Sequence, residues 1–239
     1  MSVPLIDAQV LQEFLDKAEP LLSEADLRAI GDCMQRRTGA LLAGDTDVAE
    51  ALRQAPATRR LQARDLGGWD DRLREIWPQL RQGDADGALL RLCEREEPPP
   101  WIVDAATFWL HAASPAENPW WARWVLERRR RTGAILLLLD DPGALAEGGT
   151  AQAYVDLRQA VQFLTEILAA TRRLRPVAQP YRATVALAAV YAVYMFTMAS
   201  WRMTDEFTQV MPPFPGVVAS LLGVARREVR CVGGEGEGG

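Results

Sequence analysis

The side chains most able to do chemistry in this 239-residue chain are few and scattered. His111 is the single histidine, which rules out a His-based metal centre within one chain. Cys33, Cys93 and Cys231 lie far apart without a C-x-x-C pair, so they make no zinc site of recognisable spacing. Asp104 and Glu117 are the carboxylates nearest His111 for general-base work. Nothing pairs the imidazole with a nucleophile in the G-x-S-x-G sense, and a hydrogen-bonding histidine near a helix end is the expectation. Two D-x-D turns, Asp45/Asp47 and Asp84/Asp86, carry oxygens that suit Ca²⁺. An EF-hand loop begun at Asp84 puts Ala88 at its fifth position and Arg95 at its twelfth, where a bidentate Glu is required, so these turns are expected to cap helices. The sequence thus predicts no catalytic residue, no metal ligand and no cofactor site.

The strongest candidate surface is the segment holding Trp120, Trp121, Trp124, Arg128, Arg129, Arg130 and Arg131. Aromatics beside a compact positive block suit phosphate backbones, membrane interfaces or acidic protein partners. Asn118-Pro119 reads as a helix start, with Asn as cap and Pro at the first position, so the four arginines are expected to point around a helix. On this reading the segment is a partner-binding surface, its partner an acidic protein.

Two stretches resemble known families. Ala134 to Pro142, AILLLLDDP, resembles the Walker B strand of nucleotide-hydrolysing motor and transporter ATPases. That resemblance implies a phosphate-cradling G-x-x-x-x-G-K-S/T loop, and the one lysine, Lys17, sits in an amphipathic stretch with no glycine near it. A nucleotide hydrolase is therefore excluded, and Leu136 to Leu139 are expected to pack a helix end. Gly44-Asp45-Thr46-Asp47 returns as Gly83-Asp84-Ala85-Asp86, and such turns are similar to those of tetratricopeptide and related α-solenoid repeats. The period is off the usual one and the signature residues do not recur, so each is expected to be a C-cap followed by an N-cap.

The elements that must position these residues follow from composition and period. Hydrophobic residues make up 49% of the chain, enough for a sizeable core, and the net charge of −5 is mild and mixed, which disfavours nucleic acid as a partner. Of 27 basic residues only Lys17 is lysine, a bias that points to a GC-rich, bacterial-like coding sequence. The N-terminal MSVPLIDAQVLQEFLDKAEP has neither the basic nor the apolar region of a signal peptide, so the expected location is the cytoplasm, with membrane association as the alternative.

Apolar residues recur by three and four almost everywhere, and no stretch alternates by two, so the expected fold is all-α with about eight to ten helices. Caps are expected at Asp7, Ser23 with Asp26, Asp45 or Asp47, and Thr150. Ala183 to Trp201 carries no formal charge and is the expected centre, a multi-helix bundle or irregular α-solenoid-like array surrounding it. Its length suits either a core helix or a membrane span, and its many small residues and borderline hydrophobicity favour the core helix. The charged, proline-rich Glu94 to Pro100 divides the chain into an N-terminal region, 1–97, and a C-terminal region, 98–232; 233–239 is expected to be a disordered tail.

Three function classes follow. The first is a non-catalytic helical protein that binds another protein, with homo-oligomers open to it. The second is a membrane-associated or membrane-inserting helical protein. The third is an enzyme or small-ligand binder with an apolar pocket between helices.

Overall fold

A computed structural model describes residues 5–44, 46–56, 68–145, 148–202 and 212–224. Among these residues the protein is all-α, with nine α-helices and no strand. Residues 57–67, the tail 233–239, Cys231, and the Ala225 and Val229 expected in the last helix lie outside the described residues, as does Asp45.

Local signals set the first helices. Helix α1 (Ala8–Ala18) begins where the Asp7 carboxylate accepts from the backbone N–H of Gln9 at 2.8 Å and of Val10 at 3.0 Å. A 3₁₀ turn at Glu19–Leu21, with Pro20 in it, then redirects the chain. Helix α2 (Glu24–Ala43) opens on a reciprocal capping box. The Asp26 N–H donates to the Ser23 hydroxyl at 3.1 Å, and the Ser23 N–H donates to the Asp26 carboxylate at 3.2 Å. Asp47 stands at the N-cap of α3 (Val48–Gln54).

Helix α4 (Trp69–Gln82) ends at Gly83, whose φ of 74° is left-handed; a Cβ there would sit 3.1 Å from Ser114. Asp84 then caps α5 (Ala85–Leu92) through the Gly87 N–H at 3.0 Å, so the second G-D turn is the C-cap and N-cap pair that its sequence predicts. Helix α6 (Pro100–Ala113) starts with proline at its first position, where a missing N–H costs nothing.

The long C-terminal helices are α7 (Thr150–Thr171), α8 (Gln179–Arg202) and α9 (Phe214–Leu221). Thr150 is not the cap of α7. Gly149 holds that position, and the Glu97 carboxylate, more than fifty residues upstream, accepts from the Thr150 N–H at 2.9 Å. The carboxylate lies where the helix dipole favours negative charge.

Packing is organised by two helices. Helices α1, α7 and α9 lie against α8, while α2 and α4 lie against α6. Helix α8 has no polar face, and its first part is surrounded: every residue from Ala183 to Val190 is buried. Further along, Tyr191, Tyr194, Met195 and Phe196 are only half-buried. The span Gln179–Ala199 is long and apolar enough to cross a membrane, and most of it is enclosed by protein here. One apolar cluster runs from Ile6 to Val224 and draws on helices from both sides of residue 97.

Two sequence expectations fail in one place. Asn118-Pro119 starts no helix: from Ser114 to Ile135 the chain is a succession of turns. Ala134 to Leu139 is no helix end either, since Ile135–Leu137 forms a single 3₁₀ turn and Leu139 bridges to Ile6. The cause is long-range. The Asn118 side chain donates to the carbonyl of Gly83 at 2.9 Å, its own carbonyl accepts from the His111 ring at 2.8 Å, and Tyr154 donates to the Pro119 carbonyl at 2.9 Å. A cap side chain and a carbonyl so employed are not free to open a helix.

Candidate functional site

A stripe of polar residues on α6 holds the turn-rich loop. Asp104, Thr107 and His111 follow at three and four residues, one helix face, in a helix otherwise built from apolar side chains. Each bonds a different part of the loop. His111 reaches Asn118 as described, the Thr107 hydroxyl accepts from the Trp121 N–H at 3.0 Å, and the Asp104 carboxylate accepts from the Trp120 indole N–H at 2.7 Å.

These bonds place the tryptophans of the expected contact surface. Trp120 is 3% exposed, packed edge-on against Phe108 and Trp124. Trp121 is 7% exposed, stacked on Tyr154, and donates to the carbonyl of Leu126 at 2.8 Å. Only Trp124 is partly open, and its indole N–H is buried with no protein partner among the described residues. Trp120 and Trp121 are therefore core residues, and the expected aromatic-plus-arginine surface does not form as one patch.

The arginines divide similarly. Arg128 is largely covered, lies 3.8 Å from Glu97 and donates to the carbonyl of Gly148, so it ties the loop to the start of α7. Arg129, Arg130 and Arg131 are exposed on a tight turn closed by the Glu127–Thr132 bridge. Gly133 lets that turn return: with φ of 132°, a Cβ there would lie 2.5 Å from the carbonyl oxygen of Val125.

Beside this loop lies a cleft of about 440 Å³ between α6, the loop, α8 and α9. Its wall is apolar and aromatic, with Trp120, Trp124, Met195, Val217 and Leu221; Asp104 and Arg123 are its charged residues. Burial pushes the Asp104 carboxyl up to about 7, against the lowering effect of its bonds to the Trp120 indole and the Arg123 backbone. The Arg123 side chain does not neutralise it. That guanidinium is mostly exposed and pairs with Glu127 at 3.1 Å. Half-buried Tyr191 of α8 rests on Trp124, with ring centroids 6.4 Å apart.

Two other hollows differ in kind. One beside Arg128 and Glu97 measures only about 110 Å³. Another, of about 500 Å³, is lined by Cys33, Arg36, Arg37, Arg53 and Gln54, but Arg37 is already held by the Leu222 carbonyl and the face of Phe108. Among the described residues no three His, Cys, Asp or Glu side chains gather as a metal site.

His111 is no partner for Asp104. Two helical turns separate them, about 10 Å along the axis, and burial pushes the imidazole down to about 4, so it is neutral and serves as a hydrogen-bonding residue. Sequence reasoning considered Asp104 only as a carboxylate near His111 and missed its place at the cleft, bonded to Trp120. Its signal was present, as the only carboxylate in Pro100–Ala113.

No known protein family, curated protein or solved structure matches this chain.

Proposed function

We propose that the protein is a small-ligand binder and that the cleft beside Asp104 is its site. The observation that carries this reading is the carboxylate itself, desolvated and set into an otherwise apolar, aromatic wall. Ligand sites are commonly clefts of some 300–1,000 Å³ with mostly apolar linings and a few convergent polar groups, among which groups of displaced pKa are over-represented. This favours the third class derived from the sequence over a broad protein-binding face, because two of the three loop tryptophans are buried.

The test uses a neutral apolar dye, N-phenyl-1-naphthylamine, whose fluorescence rises on leaving water. Met195→Trp fills the cleft at a half-buried position, and Leu90→Trp adds the same ring at a site 70% exposed. The cleft reading expects dye binding to the wild type and the Leu90 variant and its loss in the Met195 variant. Equal binding to all three removes the cleft as the site.

A second reading has its own observation. Arg129, Arg130 and Arg131 are three consecutive exposed guanidinium groups, and we infer from them a docking point for an acidic protein partner. It is compatible with the first, since Arg129 and Arg131 do not line the cleft, although Arg130 lines a hollow that adjoins it at Arg123 and Trp124.

A further inference from the structure

A carboxylate in an apolar wall discriminates among ligands by charge. An anionic head group next to Asp104 meets a like charge across little water, and a neutral one leaves the carboxylate either uncompensated or protonated. A positive head group alone improves on the unliganded state, because it restores the partner that burial removed. Aromatic walls act in the same direction, since indole rings attract cations within about 6 Å.

Among the described residues, the surroundings leave that charge uncancelled. From the loop, Arg123 pairs with Glu127, and Arg130 lines the adjoining hollow beside Trp124 and Tyr191 rather than the cleft that holds Asp104. Helix α8 contributes Tyr191, a phenol, and α9 contributes Ser220, whose hydroxyl already donates to the Gly216 carbonyl at 2.7 Å. Helix α6 adds no further ionisable group near Asp104.

We propose that the cleft takes an organic cation, an ammonium head group against the Asp104 carboxylate with its apolar body among Trp120, Trp124, Met195 and Leu221. This rests on the reading of the cleft as a ligand site and names the chemical class of the ligand. The cation binds the ionised carboxyl, so below about pH 7 it must displace a proton and its affinity falls roughly tenfold per pH unit.

Three probes of one shape separate the charges: 4-phenylbutylamine, 4-phenylbutan-1-ol and 4-phenylbutyrate, titrated calorimetrically into the full chain at pH 7.5 and 5.5. At pH 7.5 the amine binds at least tenfold more tightly than the alcohol, and the carboxylate binds weakest. At pH 5.5 the amine loses an order of magnitude or more while the alcohol is unchanged, a comparison that needs no variant. Asp104→Asn brings amine and alcohol within about twofold of each other and leaves the alcohol as in the wild type. An amine that binds no better than the alcohol, or that fails to bind while N-phenyl-1-naphthylamine does, overturns the cation assignment and leaves the cleft standing. If neither the probes nor the dye bind the wild type, the cleft reading itself fails and the cation falls with it.

Discussion

Replacing Asp104 with Asn is expected to make the unliganded protein more stable at alkaline pH, the opposite of what removing a hydrogen-bonded core residue usually does. The carboxyl titrates at about 7 in the folded chain and at its ordinary 3.8 when unfolded. Between those values the folded state holds the extra proton, so stability falls as pH rises, and the full penalty is present above about pH 7. At about 1.4 kcal/mol per unit the shift corresponds to about 4 kcal/mol. Asp104 is largely but not fully buried, so we halve this to about 2 kcal/mol. An amide oxygen at the same position still accepts from the Trp120 indole, and the anchoring bond is kept. The expected gain at pH 8 is therefore 1–2 kcal/mol, some 2–8 °C in Tm for a chain of this size. At pH 4, where the wild-type carboxyl is already neutral, the two proteins differ little. Urea unfolding followed by tryptophan fluorescence at pH 8, 6 and 4 measures the difference directly. A variant destabilised equally at all three values refutes the argument, because the carboxylate then carries no charge penalty and its bonds alone matter.

Other expectations follow from the same structure. His111 titrates at about 4 when folded against 6.5 unfolded, so its contribution is present above pH 6.5 and lost as pH falls towards 4, on the order of 3 kcal/mol. His111→Asn keeps a donor for the Asn118 carbonyl and should flatten that acid limb in a urea titration, whereas an unchanged limb assigns it elsewhere. Ala189→Asp places an unpaired carboxylate at a fully buried point of α8, at a cost of several kcal/mol against a total of roughly 5–15, and should abolish the cooperative melt; a retained melt contradicts the enclosed α8. Gly133→Ala drives a Cβ into the Val125 carbonyl and should cost 2 kcal/mol or more, while Gly148→Ala, whose nearest neighbours are 3.6 Å away, should cost about 1 for its φ of 83° alone. Equal melting temperatures for the two variants contradict the tight return at Gly133. Arg129→Glu/Arg130→Glu should fold normally by circular dichroism and slow association with an acidic partner in a salt-dependent way; unchanged association across a salt titration makes the turn a solvated surface.

What was legible in the sequence was whatever a few neighbouring residues decide. Asp7, the Ser23–Asp26 box and the Gly83-Asp84 turn act over two to four residues, and each is found as read. Helix α8 was legible for a different reason: a run apolar on every side must be enclosed by something. The loop after Asn118 was illegible because its decisive bonds span up to 35 residues, to Gly83 and Tyr154, and they outrank the local start signal of Asn-Pro. Thr150 was misassigned likewise, since the group that caps α7 is Glu97, which no local window contains. Trp120 and Trp121 read as interface residues because tryptophan beside arginine has that composition; only the tertiary structure gives their indole N–H groups the partners Asp104 and Leu126.

Asp104 stands apart from the rest of its stripe on energetic grounds. Thr107 and His111 hold the same loop with neutral groups, a hydroxyl and an uncharged imidazole, and neither bears a charge at neutral pH. An amide oxygen at position 104 can also accept from the Trp120 indole, so that one bond does not require a carboxylate. The ionised group instead costs the empty protein stability at the pH where its neighbours cost nothing. Asp104 accepts two hydrogen bonds and, among the described residues, pairs with no cationic side chain, while Arg123 beside it is paired with Glu127. On the proposed reading a cost of that kind is offset by the ligand of the cleft, a trade of stability for a binding group. The alkaline stabilisation expected of Asp104→Asn and its loss of cation preference are therefore two measurements of one quantity, the free energy of leaving that carboxylate without a partner.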